Sequence, residues 1–187
     1  MNCSLLVLLL ITILLLSILV INYFRNKDND KNKVKKTIHK FQKALQNGDV
    51  DTIVNSYYDD NSHIITNFPG NFKNSVWPVS NDKDKILIGK PIKGLQNLKK
   101  YQQFIFNNYD LTDLTSNILS IHLYNDNAHV TIFGTHKVFK KNNGIIDKSK
   151  QINVQAQEIW NLKKSFDGNF YVTSIAFIDH EHVFKLN

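Results

Sequence analysis

From Ser4 to Phe24 (SLLVLLLITILLLSILVINYF) the chain carries no charge, and no other feature restricts its fold so strongly. A helix of that length, at about 1.5 Å per residue, reaches across a hydrocarbon core of roughly 30 Å. Residues 1–24 are therefore predicted to be a transmembrane anchor, with the lipid bilayer as partner through residues 4–24. A cleaved signal peptide is the rival reading. Against it, no basic residue precedes the run, the run exceeds the usual apolar region of about 7 to 15 residues, and no small-x-small cleavage site follows. Tyr23 and Phe24 stand where an interfacial aromatic belt would lie. The lone cysteine, Cys3, rules out an internal disulfide and is open to acylation or to simple burial in lipid.

Charge sets the expected orientation. Arg25, Lys27, Lys31, Lys33, Lys35 and Lys36 follow the span and none precedes it, so the larger C-terminal part is expected on the cytosolic side of a single-pass membrane protein. Residues 25–33 (RNKDNDKNK) lack any apolar side chain and read as a solvated, charged tether.

The remainder, residues 34–187, is long enough for one globular domain. Val34, Ile38, Phe41 and Leu45 step by four, three and four, which predicts a helix with one apolar face. Asn47-Gly48 ends it, and Asp49 is placed to cap a second helix bearing Val50, Ile53, Val54 and Tyr57. Ser62 to Phe68 reads as a strand, residues 69–90 as a long loop or flap, and Gly94 to Tyr109 as a third helix with Leu95, Leu98, Tyr101, Gln102 and Ile105 on its stripe. The period then changes to two. Strands are predicted around Leu119–Leu123, Ala128–Gly134, Ser149–Leu162 and Asn169–Asp179, joined by the turns Asn125-Asp126-Asn127, Lys140–Gly144 and Asp167-Gly168. Helices covering one face of a four-stranded antiparallel meander make an α+β domain.

The runs FQKALQNGDVDTIVNSYYDD, NDNAHVTIFG and QEIWNLKKSFDGNFYV resemble the nuclear transport factor 2-like superfamily, which includes ketosteroid-isomerase-like and SnoaL-like domains, over about residues 34 to 182. That resemblance implies a cone: a curved antiparallel sheet packed on three helices, with a pocket at the open end and a sheet face used by many members for dimerisation. In the isomerases a tyrosine on the first helix and a late-strand acid form an oxyanion hole, and an aspartate after the first strand is the base. Here Phe41 falls at the tyrosine position, Ile65 or Thr66 at the base, and Glu158 at the late acid. Two of the three groups are missing, so a non-catalytic module is the primary expectation.

Candidate pocket residues are Phe41, Tyr57, Tyr58, Ile65, Trp77, Ala156, Glu158 and Trp160, with Phe177 as a further aromatic. The aromatic ones, Tyr57, Tyr58, Trp77, Trp160 and Phe177, at these spacings more often serve as ordinary core. Glu158 shares a strand face with Val154, Ala156 and Trp160, so it is expected in apolar surroundings with a raised pKa, either as a site carboxylate or paired with a lysine or tyrosine. The histidines read as surface residues, and His180-x-His182 alone makes a poor metal site. Neither a phosphate loop nor a nucleophile elbow nor a metalloprotease helix occurs, and no metal or cofactor is expected. The net charge of +7 is nearly all lysine, Arg25 being the single arginine; this argues for an AT-rich genome and against a nucleic-acid partner.

The sequence thus predicts a membrane-anchored binding or assembly module. It would act on a small apolar ligand, as a homodimer, or with another protein partner. The alternative is an isomerase- or dehydratase-type enzyme using Glu158 with Asp179 or His63.

Overall fold

Residues 25–33, which by composition read as a solvated tether, are helical. The computed structural model, which describes residues 3–66 and 91–184, runs one helix, α1 (Cys3–Asn47), from the apolar segment into the domain without a break. The segment holds no glycine or proline, and Lys27/Asp30, Asp28/Lys31 and Asp30/Lys33 are opposite charges three apart on the helix surface. With helix already formed on both sides, no new nucleus is required. Tertiary contacts do the rest. Asp30 accepts from the Lys164 ammonium at 2.8 Å, Lys33 donates to the Gly168 carbonyl at 2.8 Å, and the Thr37 hydroxyl donates to the Phe170 carbonyl at 2.8 Å. Steps of three and four place these residues on one face.

Gly48 stops α1 with a left-handed φ of +66°, and the Asp49 amide donates to the Ala44 carbonyl at 2.9 Å. Asp49 then caps α2 (Val50–Val54), its carboxylate taking the Thr52 amide at 3.0 Å. α2 is shorter than its apolar spacing suggests. Tyr57 has left the helix and bridges to Val172 in strand fashion.

The chain continues through β1 (His63–Thr66), β2 (Pro91–Lys93), α3 (Leu95–Asn108), β3 (Tyr109–Tyr124), β4 (Asn127–Asn142), β5 (Ile145–Lys164) and β6 (Phe170–Phe184). One sheet results, in the order β2-β1-β6-β5-β4-β3. β3 to β6 form the expected antiparallel meander, but each strand is longer than its apolar alternation indicates. Two features go beyond the sequence reading: β1 lies parallel to β6, with Ile64 opposite Ile175, and β2 adds an antiparallel edge. Residues 69–90, read as a flap, lie outside the described residues. Register shifts near Thr112/Thr115, Ile118/Ser120, Gln157/Glu158 and Asn161/Leu162 mark bulges that bend the strands.

The helices fill the concave side. Val34, Ile38, Phe41 and Ala44 of α1 pack with Ile53, Leu98, Val130, Ile132, Trp160, Leu162 and Phe170 in one buried cluster. The Asp30–Lys164 pair fixes the entry of α1 onto this body, and both side chains are more than two-thirds buried. Replacing Lys164 with Met is expected to leave Asp30 without its counter-charge and to weaken this docking by about 1–2 kcal/mol. Hydrogen exchange should then accelerate in residues 25–37 but not in β3 to β5; unchanged exchange there would show the pair to be incidental.

Candidate functional site

Small and large residues alternate along the inward face of the sheet, and the gaps leave a cavity. β4 turns Val130, Ile132, Gly134, His136 and Val138 inward; β5 turns Val154, Ala156, Glu158, Trp160 and Leu162 inward. Gly134 and Ala156 are paired neighbours and lack bulk, so the space over them is not filled from the sheet. From the helix side Phe41 and Leu45 of α1 and Tyr101, Gln102 and Ile105 of α3 close it, while Ile64, Ile175, Phe177, Leu111 and Leu114 complete the walls. The enclosed volume is about 90 Å³. This suits a small ring or the end of a longer apolar group.

Glu158 is the single carboxylate among the described residues of this lining. Burial pushes its pKa up to about 7, and a hydrogen bond from the Trp160 indole N–H to its Oε2, at 2.6 Å, works in the opposite direction. Gly134 lies against the carboxylate: a Cβ there would stand 3.6 Å from Glu158 Oε1, in ordinary contact. Trp160 is fixed in turn by Phe41, ring centroids 4.9 Å apart and edge-on, and Phe41 meets Tyr57 edge-on at 5.7 Å.

Two phenols belong to the same electrostatic neighbourhood. Burial raises the Tyr101 hydroxyl to about 12 and takes Tyr57 well above its usual value; the nearby Tyr101 and Glu158 raise Tyr57 further. The Tyr57 hydroxyl is buried with no hydrogen-bond partner among the described residues. Hydroxyl donors thus come from residues after the first helix, while the first-helix position holds Phe41.

Of the residues singled out from sequence, Phe41, Glu158 and Trp160 line the cavity and Phe177 joins them. Tyr57 packs behind Phe41, and Ala156 is buried within the face. Tyr58 instead lies beneath the Lys163 ammonium, 4.8 Å from its ring centroid. Strand alternation makes Ile64, not Ile65, the wall residue. Trp77 lies outside the described residues, as do the side chains of Asp179, His180 and His182. His63 contacts the Asn61 carbonyl at 3.2 Å and is not on the lining.

His136 corrects the expectation of surface histidines, because it lines the cavity. It was legible: it stands an even number of residues from Val130 and Ile132, on their face. His129, at odd spacing, turns outward and meets Asn161 Oδ1 at 2.8 Å. His136 pairs with Val154, four residues from Glu158 along β5, so their backbone positions are offset by about 13 Å along the strand while both side chains line the one cavity. Among the described residues no group of three or more His, Cys, Asp or Glu could hold a metal ion.

No protein-family model matches the sequence, and no curated protein matches it either. Solved structures do match. A ketosteroid isomerase-like protein from Erwinia carotovora atroseptica is similar at 16% identity and a TM-score of 0.55, over 78% of this chain and 93% of its own. A nuclear transport factor 2-like superfamily protein from Salmonella enterica serovar Typhimurium aligns at 11% identity and a TM-score of 0.57, over 81% of this chain and 92% of its own. A conserved protein from Planctomyces limnophilus reaches a TM-score of 0.61 at 12% identity, over 83% of this chain and 99% of its own.

Proposed function

We propose a binding function for this chain, which has the nuclear transport factor 2-like fold: a domain tethered at a membrane whose cavity takes the apolar end of a small molecule bearing one hydrogen-bonding oxygen. The observation that carries this reading is the carboxyl of Glu158, the single one among the described lining residues, set in a mostly apolar cavity that also holds Tyr101, Gln102 and His136. With its pKa raised to about 7, the protonated form of this carboxyl donates a hydrogen bond to a carbonyl or hydroxyl oxygen. Binding is favoured over turnover because Phe41, and Ile65 or Thr66, stand where the isomerases carry their tyrosine and their base.

What supports the tether is the helix itself. From Leu10 it is long and apolar enough to cross a bilayer, with none of that window buried against the domain, and the basic residues from Arg25 onward favour a cytosolic domain. Homodimerisation through the outer sheet face, where Phe133 is partly exposed, belongs to the same proposal. Co-purification of differently tagged copies tests it.

Cyclohexanone, read out by Trp160 emission in a Trp77→Phe background, is the test ligand. Its apparent affinity is expected to fall about tenfold between pH 6 and pH 8 as Glu158 ionises, because only the protonated fraction binds. Glu158→Gln should bind it with no such pH dependence. The same tenfold fall in Glu158→Gln would sink the reading. An enzymatic role has one observation in its favour, a carboxyl titrating near neutrality, where a general acid or base works best. It predicts that Glu158→Gln removes a turnover rather than a pH-dependent affinity.

A further inference from the structure

Phe166 is fully exposed, at the tip of the β5–β6 hairpin. A floppy loop would hide such a ring part of the time, but this turn is built to display it. Gly168 donates to the Ser165 carbonyl at 2.9 Å, closing a turn with Phe166 and Asp167 at its centre. The Asp167 carboxylate takes the Asn169 amide at 2.9 Å and the Tyr171 hydroxyl at 2.9 Å, and these bonds hold its pKa below the usual carboxylate range.

The position of this tip is informative. Lys33 of α1 donates to Gly168 and Asp30 pairs with Lys164, so the hairpin sits beside the first turns of helix beyond Phe24. Asp30 and Lys33 lie about 9 Å and 13 Å along the axis from Phe24. The neighbouring β3–β4 turn is at the same end of the sheet: the Lys164 amide donates to the Asp126 carbonyl at 2.7 Å, and Tyr124 beside it is 65% exposed. Among the described residues no hydrogen bond ties the turn at Gly144, at the opposite end, to α1. With the apolar segment spanning a bilayer, the headgroup layer extends about 5–7 Å beyond the hydrocarbon edge, within one aromatic side chain of the tip. A helix tilt of about 20° narrows the gap further. Aromatic rings flanked by lysines, here Lys163 and Lys33, are what an anionic interface accommodates.

We propose that the β5–β6 hairpin tip is a second membrane contact, with Phe166 seated among the lipid headgroups beside the α1 span. This rests on the reading of α1 as a membrane anchor, and the test separates the two. The full chain, with Cys3→Ser, is reconstituted in vesicles of phosphatidylcholine and phosphatidylglycerol in equal parts. A fluorophore is placed by Phe166→Cys, by Ile145→Cys at the far end of the sheet, or by Leu14→Cys within the span. All three side chains are exposed, so the core is untouched. Headgroup-level spin-labelled lipids are expected to quench the 166 label severalfold more than the 145 label, and acyl-chain spin labels to quench the 14 label. Quenching at 14 with equal, weak quenching at 166 and 145 would overturn the hairpin contact alone, leaving the tip to a protein partner. No quenching at 14 would overturn the anchor and with it the proposal.

Discussion

Raising the pH from about 5 to about 9 is expected to cost the folded domain about 3 kcal/mol through Glu158 alone. Its carboxyl titrates at about 7 in the folded protein against 4.5 for the free side chain, so between those values the native state holds a proton that the unfolded chain has released. This contribution is complete below 4.5 and is lost as pH rises through about 7, the reverse of a salt-bridged carboxylate. The cause is burial beside Ile132 and Phe177, its paired neighbours in the sheet, with the Trp160 indole giving only partial compensation. Denaturant unfolding of the full chain in detergent micelles, repeated across this range, measures it. The decisive quantity is the difference between wild type and Glu158→Gln, in which other titrating groups cancel. A difference flat with pH would remove the buried acid from the account of the site.

Phe41→Ala is expected to destabilise the domain by about 3–5 kcal/mol, lowering its melting temperature by about 10 °C. Phe41 is 2% exposed and is the only side chain in edge-on contact with both Tyr57 and Trp160 among the described ring pairs. Its loss removes apolar contact and joins the vacated space to the adjoining cavity, so collapse of the surroundings cannot recover the energy. Phe41→Leu, which keeps most of the volume, should cost less than half as much. A thermal melt followed by circular dichroism reads both, and a loss under about 1 kcal/mol for Phe41→Ala would place the structural centre elsewhere.

Much of this was legible where a local rule and the tertiary fold agree. Gly48-Asp49 marks a helix boundary because a left-handed residue followed by an acceptor suits that junction whatever surrounds it. Glu158 falls inward because period two holds through Val154 to Leu162. Other features depend on partners distant in sequence. The helical state of residues 25–33 is decided with Lys164 and Gly168, which composition does not reveal. β2 is three residues opening with proline and reads as loop, although an edge strand tolerates that residue. Reading the first strand without its parallel partner β6 puts Ile65 on the cavity wall where Ile64 stands, and ending β4 near Gly134 leaves His136 counted among the surface histidines.

On the proposed reading of α1 as an anchor, its unbroken course also sets where a guest would be collected. Phe41, on the cavity wall, lies about 25 Å along the helix axis from Phe24. With no joint in the rod, the opening would then stay away from the lipid and face water. The guest would be handed over by diffusion from the aqueous side, and not drawn sideways out of a leaflet.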